Sequence, residues 1–287
     1  MKLLAAAVQI SAEPMAVADN LARADEQLSL AHASGVELAV LPEMFSTGYS
    51  RIPDYTPLAE TRDGNTTRWL LDRARRFGMA ITLGFVEREG RHLYDALAFA
   101  TPQGDLSVYR KRNLVFWERS RFCPGSAPLI VNTRWGRIGF AVCADMIYKR
   151  TWADYRGKID VAIVAAAWPD FACRLTGRKD WLLGHVGPLS ADIPSKVAID
   201  LGIPVIFANQ CGPTTTFIPI LRRRISDLFS GRSSICDGHH GQLMHAGRDE
   251  QLLMAPITLH TLGRGPHLCR TTSRSESVAS SFASAQP

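Results

Sequence analysis

The sequence lacks the patterns that mark several common protein classes. Its longest uninterrupted apolar run, residues 161–168, is far shorter than the roughly 18 residues that cross a bilayer. The apolar stretch that follows Lys2 ends at Gln9, which makes it too short for the core of a signal peptide. No HExxH, GxSxG or GxxxxGK[ST] pattern occurs, which excludes the commonest signatures of zinc enzymes, serine hydrolases and nucleotide-binding loops.

The number of cysteines and the net charge are also small. The six cysteines are scattered and form no CxxC pair, so we expect neither a zinc ribbon nor a disulfide framework. Reduced thiols favour a cytoplasmic protein. The net charge of +6 is spread over short clusters, which is weak evidence for nucleic-acid binding. We therefore expect neither a nucleic acid nor a membrane as partner.

Hydrophobic periodicity predicts two similar α/β halves. The first half is predicted to contain strands at 3–9, 36–41, 79–87 and 92–100, with helices at 17–31 and 65–77. The second half is predicted to contain strands at 138–142, 161–166 and 205–209, with helices near 148–155 and 194–201. Two halves of this kind indicate two sheets.

The C-terminal part has a different pattern. Short alternating strands at 233–237, 242–245 and 251–256 predict an antiparallel closing edge. Serine and alanine dominate from Thr271 onward, which is typical of a disordered tail or of an arm that lies on a neighbouring subunit. We assign residues 1–262 to one domain and residues 263–287 to this tail.

One cysteine stands where a nucleophile would be exposed. Cys143 ends the apolar strand 138–142 and precedes Ala144 and Asp145, so its thiol is expected where a strand turns toward a helix. The same position also fits a cysteine that only fills the core. Neighbouring charged residues must decide between the two interpretations.

Three charged residues follow predicted strands or lie between apolar residues. Lys111 comes after the strand 106–109 and could stabilise a thiolate or an oxyanion; the alternative is a solvated basic turn. Glu43 and Glu118 are flanked by apolar residues, a setting that raises a carboxyl pKa toward the range of a general base. Structural salt bridges would explain both glutamates equally well.

A possible metal site is less convincing. Asp237, His239, His240 and His245 carry ligand atoms. However, Asp-Gly-His-His-Gly lies between two alternating strands, and this arrangement is typical of a hairpin turn. We predict a turn here, and no metal.

Four segments occur in order along the chain: Leu41-Pro-Glu43-Met-Phe, Tyr109-Arg-Lys111, the segment that runs from Glu118 to Gly125, and Gly139-Phe-Ala-Val-Cys143-Ala-Asp145. They resemble the glutamate, lysine, second-glutamate and cysteine motifs of the nitrilase superfamily of carbon–nitrogen hydrolases. The resemblance covers residues 3–257. It implies an α/β fold, a four-layer α-β-β-α sandwich with two sheets packed face to face.

The resemblance also implies a reaction. Glu43 is expected to take the proton of the Cys143 thiol, and Lys111 with the backbone N–H of Ala144 to hold the oxyanion. Glu118 is assigned to orienting Lys111 and the substrate. This chemistry needs no cofactor.

Substrate and assembly are less well defined. Asp145 follows Cys143 by two positions, which favours the amidase-like branches over the nitrile-cleaving branch. A small amide, a carbamoyl or ureido compound and a nitrile all remain candidates, as do acyl transfer and a catalytically silent binding protein. We expect a homodimer or larger homo-oligomer, and a pocket wall formed by Phe45, Tyr49, Trp117, Met146 and Trp168.

Overall fold

The computed structural model describes residues 1–50, 54–115, 117–170, 186–218 and 223–259. In chain order the elements are β1 (Lys2–Gln9), α1 (Val17–Ala33), β2 (Leu38–Val40), α2 (Asn65–Phe77), β3 (Ala80–Glu89), β4 (His92–Ala100), β5 (Leu106–Arg110), β6 (Ile130–Thr133), β7 (Gly136–Val142), α3 (Lys149–Tyr155), β8 (Val161–Ala166), α4 (Val186–Leu201), β9 (Val205–Asn209), β10 (Pro213–Ile218), β11 (Arg223–Leu228), β12 (Ser234–Asp237), β13 (Gly241–His245) and β14 (Gln251–Thr258). Short 3-10 helices span Thr56–Leu58, Glu118–Ser120 and Cys143–Ile147.

The strands form two six-stranded mixed sheets, as the two sequence halves predicted. The first sheet has the order β14-β1-β2-β3-β4-β5 and the second has the order β13-β12-β9-β8-β7-β6. Each sheet contains three successive strands that pair in parallel: β1, β2 and β3 in the first sheet, and β7, β8 and β9 in the second. Strands β10 and β11 form a separate antiparallel pair.

Alternation along the strands produces four layers, which confirms the predicted α-β-β-α sandwich. Leu3, Ala5 and Ala7 of β1 belong to the core shared with the second sheet, whereas Ala6 and Val8 pack on the other face with α1 and α2. This is the period of two that a strand imposes on its side chains. Helix α4 covers the outer face of the second sheet at β9, β12 and β13.

Three predictions of elements need correction. The closing strands do not form one edge, because β12 and β13 extend the second sheet whereas β14 pairs antiparallel with β1 in the first. Strand β2 is shorter than the predicted 36–41, and α4 begins before the predicted 194. Sequence periodicity did not indicate β6, β10 or β11. The boundary at 262 and the tail 263–287 lie outside the described residues.

Within the described ranges, every helix is too short or too polar to cross a membrane.

Candidate active site

The folded chain brings the four predicted catalytic residues to one buried point. Glu43 follows β2 in the first sheet, Lys111 follows β5 in the same sheet, and Cys143 follows β7 in the second. The Nζ atom of Lys111 lies 2.6 Å from Oε1 of Glu43 and 2.7 Å from Oε1 of Glu118. The side chains of all three charged residues are fully buried. Strand ends from both sheets therefore converge on this cluster.

Glu43 is fixed by hydrogen bonds from distant parts of the chain. The backbone N–H of Ala167, beyond β8, donates to its Oε2 at 2.6 Å, and the Gln210 side chain donates to its carbonyl oxygen at 2.8 Å. A Cβ on Gly84 of β3 would lie 2.3 Å from the nitrogen of Met44. Glycine at this position therefore allows the Glu43 segment to lie directly against β3.

Glu118 is the second glutamate that contacts the ammonium group of Lys111. Its Oε1 accepts hydrogen bonds from Lys111 and from the hydroxyl of Tyr49 at 2.8 Å, and its Oε2 accepts from the backbone N–H of Val115 at 2.8 Å. Burial raises the pKa of Glu118, although attraction to Lys111 opposes that rise. The geometry is consistent with the orienting role that the sequence analysis assigned to this residue.

Cys143 lies at a strained elbow. Its φ is +45°, a left-handed value that is uncommon for residues other than glycine, and the 3-10 helix Cys143–Ile147 starts directly there. Its side chain is buried, and Ala144 behind it is buried too. A sharp strand-to-helix turn of this kind directs a side chain away from both the strand and the helix.

The surroundings of Cys143 favour its neutral thiol over the thiolate. Burial and then the negative charge of Glu43 raise its pKa well above the ordinary value, while Lys111 and the Ala167 backbone N–H oppose this rise. Because the thiolate is the nucleophilic form, the thiol needs a base when it reacts. The backbone N–H of Ala167 donates a hydrogen bond to Glu43 and also lowers the pKa of the Cys143 thiol. The Glu43 carboxylate therefore lies beside the thiol.

Asp145 links the segment around Lys111 to the turn at Cys143 through hydrogen bonds. Its two carboxylate oxygens accept hydrogen bonds from the Tyr109 hydroxyl at 2.8 Å, from the Val142 backbone at 3.1 Å, and from both the backbone and the side chain of Asn113 at 2.7 Å. The backbone N–H of Arg112 lies 3.2 Å away. The sequence analysis used Asp145 only to distinguish family branches and missed this positioning contact.

A fourth buried carboxyl group, Asp95 of β4, was not among the predicted site residues. Its Oδ2 lies 3.3 Å from Nζ of Lys111, and its side chain is fully buried. Burial and then the charge of Glu43 raise its pKa well above the ordinary value. The only signal in the sequence was a charged residue within the otherwise mostly apolar strand 92–100.

The five predicted wall residues occupy different surroundings. Tyr49 reaches the cluster through Glu118 and makes an edge contact with Trp117 at 5.1 Å between ring centroids. Trp168 and Met146 are buried in the core between the sheets, and Trp168 donates its backbone N–H to Asn209. Phe45 packs in the helix-side core instead.

Possible metal ligands lie in two acidic groups. Single carboxylate oxygens of Glu43, Asp95 and Glu118 lie within 4.8 Å of one another, but the ammonium group of Lys111 lies among them and occupies the position of a cation. At the other candidate, Asp237 accepts backbone hydrogen bonds from His239 and His240. That is the geometry of the predicted hairpin turn between β12 and β13.

Two packed mixed sheets and a buried glutamate, lysine and cysteine at their strand ends define the class of carbon–nitrogen hydrolases. The family model "Carbon-nitrogen hydrolase" matches residues 4–266. The chain belongs to this family.

Individual relatives carry different names. The chain is 30% identical over 145 residues to a nitrilase of Pyrococcus abyssi and 32% identical over 139 residues to an (R)-stereoselective amidase of a Pseudomonas species. These matches span 49% and 48% of this chain, and only 55% and 50% of the two relatives.

Solved structures show the same fold. An amidase from Nesterenkonia sp. AN1 superimposes with a TM-score of 0.73 at 21% identity, over 89% of this chain and 93% of that one. That structure shows the result of Michael addition of acrylamide at the active-site cysteine of the amidase.

Proposed function

We propose that the protein is a thiol hydrolase that cleaves a non-peptide C–N bond of a small amide or of a carbamoyl or ureido compound. The observation that supports this most strongly is the contact of one buried lysine with Glu43 and Glu118, beside a cysteine at a strained elbow. This arrangement supplies a nucleophile, a base and a positive charge for the oxyanion in one dry site.

In the first half of the proposed reaction, Glu43 takes the proton from the Cys143 thiol as the sulfur attacks the carbonyl carbon. The carbonyl oxygen becomes an oxyanion, which Lys111 and the backbone N–H of Ala144 stabilise. When the tetrahedral intermediate collapses, the C–N bond breaks and Glu43 returns its proton to the departing nitrogen. Ammonia or an amine leaves, and an acyl-thioester on Cys143 remains.

In the second half, water attacks the thioester carbonyl while Glu43 takes one of its protons. The same two donors hold the second oxyanion, and collapse releases the carboxylic acid as the proton returns to sulfur. Glu118 keeps Lys111 oriented throughout, because it accepts a hydrogen bond from Nζ and is itself held by Tyr49 and Val115. An amine in place of water would give acyl transfer through the same steps.

Tyr49 and Trp117 are the best placed of the proposed wall residues, because they contact each other next to Glu118. Met146 and Trp168 would contribute to the wall from the core between the sheets.

The alternative activity is hydrolysis of a small nitrile, which the name of the Pyrococcus abyssi relative suggests. We favour amides because hydrolysis of an amide passes through an oxyanion that Lys111 and Ala144 can stabilise directly. A catalytically silent binding protein of the same fold would have no need for a base beside a protonated thiol.

The test is a panel of small amides, ureido acids and nitriles, assayed for ammonia release. The matched measurement is kcat/KM for an amide and a nitrile with the same side chain, because this ratio reports the difference in transition-state stabilisation. We expect the amide to react faster. A faster nitrile would make the protein a nitrilase, and no turnover of any compound would favour the silent member.

We also propose that the protein forms a homodimer or a larger homo-oligomer. Three large apolar side chains are exposed in the second half: Ile147 and Tyr148, just before α3, and Ile199 of α4. Light scattering at micromolar concentration tests this, and a mass of 31.6 kDa would contradict it.

A further inference from the structure

Asp95 differs from the other carboxyl groups around Lys111 in its hydrogen bonds. Glu43 and Glu118 each accept hydrogen bonds at both of their oxygens. Neither oxygen of Asp95 accepts one from any part of the chain that the structure describes, although its side chain is buried. A buried carboxylate without donors is costly, whereas a neutral carboxyl group in the same place is not.

The charges around the lysine lead to the same conclusion. Three carboxyl groups surround one ammonium group, at 2.6, 2.7 and 3.3 Å from Nζ. If all were ionised, the buried cluster would carry a net charge of about −2, and like charges so close together in a dry site do not all ionise. One group must hold a proton, and the group without donors is Asp95.

We propose that Asp95 is a positioning residue that holds one proton at neutral pH beside Glu43, with carboxylate oxygens of the two residues within 4.8 Å of each other. Its protonated form limits the buried cluster to a single net negative charge. Glu43 is thereby left as the group that accepts the proton of Cys143. This inference rests on the proposed function, since it assigns the role of base to Glu43.

The groups that face Asp95 come from four segments of the chain. Glu43 follows β2, Lys111 follows β5, and Glu118 lies in the 3-10 helix beyond it, and all three act electrostatically on Asp95. The hydroxyl of Tyr55 also experiences the charge of Asp95. Only Lys111 among these groups is cationic, so ionisation of Asp95 at alkaline pH would add an uncompensated negative charge to the cluster that acts on the thiol.

The variant Asp95→Asn removes the ionisable group but keeps the shape of the side chain. Asparagine has nearly the same volume, stays neutral at every pH, and can donate a hydrogen bond as a protonated carboxyl group does. The control is Glu87→Gln, which alters a buried carboxylate on the neighbouring strand β3 that is paired with Arg62 and Arg110. Correct folding is checked by circular dichroism and thermal unfolding.

The readout is the rate at which iodoacetamide alkylates Cys143 as a function of pH, followed by peptide mass mapping. At neutral pH we expect Asp95→Asn to match the wild type within about twofold. At alkaline pH it should react faster by about tenfold, which corresponds to about one unit in the thiol pKa. Glu87→Gln should follow the wild type at every pH.

Two results would overturn the proposal: a tenfold difference already present at neutral pH, which would mean that Asp95 is ionised at rest, or no difference at any pH. Alkylation requires no turnover, so these outcomes are independent of the proposed function. Loss of turnover in Cys143→Ser tests the function separately.

Infrared spectroscopy provides a test that does not depend on the folding of Asp95→Asn. The wild type should show the C=O stretch of a buried protonated carboxyl group at neutral pH. Absence of this band from the wild type would overturn the proposal.

Discussion

Strands β4 and β5 carry two charged clusters on opposite faces. On one side, Arg110 pairs with Glu87 and Glu89 and lies 3.7 Å over the ring of Tyr94. On the other side, Asp95, the next residue of β4, and Lys111, the first residue after β5, join the buried cluster with Glu43 and Glu118. Alternation of side chains across a strand separates the two clusters completely.

The two clusters differ in charge balance and in contact with solvent. The Glu87 cluster pairs two guanidinium groups with two carboxylates, and the side chains of Arg62 and Glu89 are more than half exposed. The Lys111 cluster sets one ammonium group against three carboxyl groups, all of them fully buried. Balanced, hydrated ion pairs stabilise a fold modestly, whereas a dry and unbalanced group costs stability and shifts proton affinities. The second pattern is typical of a catalytic site.

The largest effect on turnover is expected from substitution of Cys143, the residue beside the Lys111 cluster. Cys143→Ala and Cys143→Ser should lower kcat by about 10⁴-fold or more, as loss of a nucleophile does in other hydrolases. The thermal unfolding temperature should change little because the volume changes little. Cys236→Ser, which alters a buried cysteine on β12, should keep its turnover. Substantial activity in Cys143→Ala would show that the Lys111 cluster does not activate a nucleophile at Cys143.

The next largest effect on turnover is expected when Lys111, the cation of the cluster, is replaced. Lys111→Met should lower kcat about 10²–10³-fold, the typical cost of losing one oxyanion donor. It should also lower the free energy of unfolding by about 3–5 kcal/mol, because carboxyl groups remain buried without their cation.

The loss of stability in Lys111→Met should depend on pH in a defined direction. The folded-state pKa values of Asp95 and Glu118 are already raised by burial, and removal of the lysine raises them further. Carboxyl groups of this kind are tolerated while protonated and destabilise the fold as the pH rises above their unfolded-state pKa. Denaturant titrations from acid to neutral pH should therefore show the deficit growing with pH. A deficit that shrinks would contradict this description of the cluster.

A smaller effect is expected at the contact that joins the two sheets near the site. In Asp145→Asn, an amide group replaces one oxygen that accepts hydrogen bonds from Tyr109 or Asn113. The free energy of unfolding should fall by about 1–3 kcal/mol, since a buried donor loses its acceptor. Turnover should fall with it, mainly in kcat, because Lys111 and Cys143 lose their common support. A variant with normal kcat would reduce Asp145 to a purely structural role.

The smallest effect on turnover is expected at the balanced cluster. Glu87→Gln should lower the free energy of unfolding by about 1–3 kcal/mol because a buried charge-assisted hydrogen bond weakens. Its kcat and kcat/KM should stay within about twofold of the wild type. A large loss of activity would show that the two faces of β4 and β5 are coupled.

The sequence predicted the parts of the site that lie in local motifs. Glu43, Lys111 and Cys143 each follow a strand that periodicity had located, and the fold brings the ends of these strands from the two sheets together. Asp95 was missed because it lies within a strand, where only the three-dimensional fold shows which face a residue points to. The partner of β14 was also missed, because local periodicity identifies a strand but not the strand with which it pairs.

The central claim is that Cys143 carries the acyl group during turnover. The most direct measurement is an acid quench of the wild-type enzyme during steady-state hydrolysis of its best amide, followed by peptide mass mapping. We predict that the acyl mass appears on the peptide containing Cys143 and is removed by hydroxylamine, as a thioester should be. An acyl group on Cys123, Cys211 or Cys236, the other cysteines in the described part of the chain, would contradict the account, as would turnover that persists in Cys143→Ser.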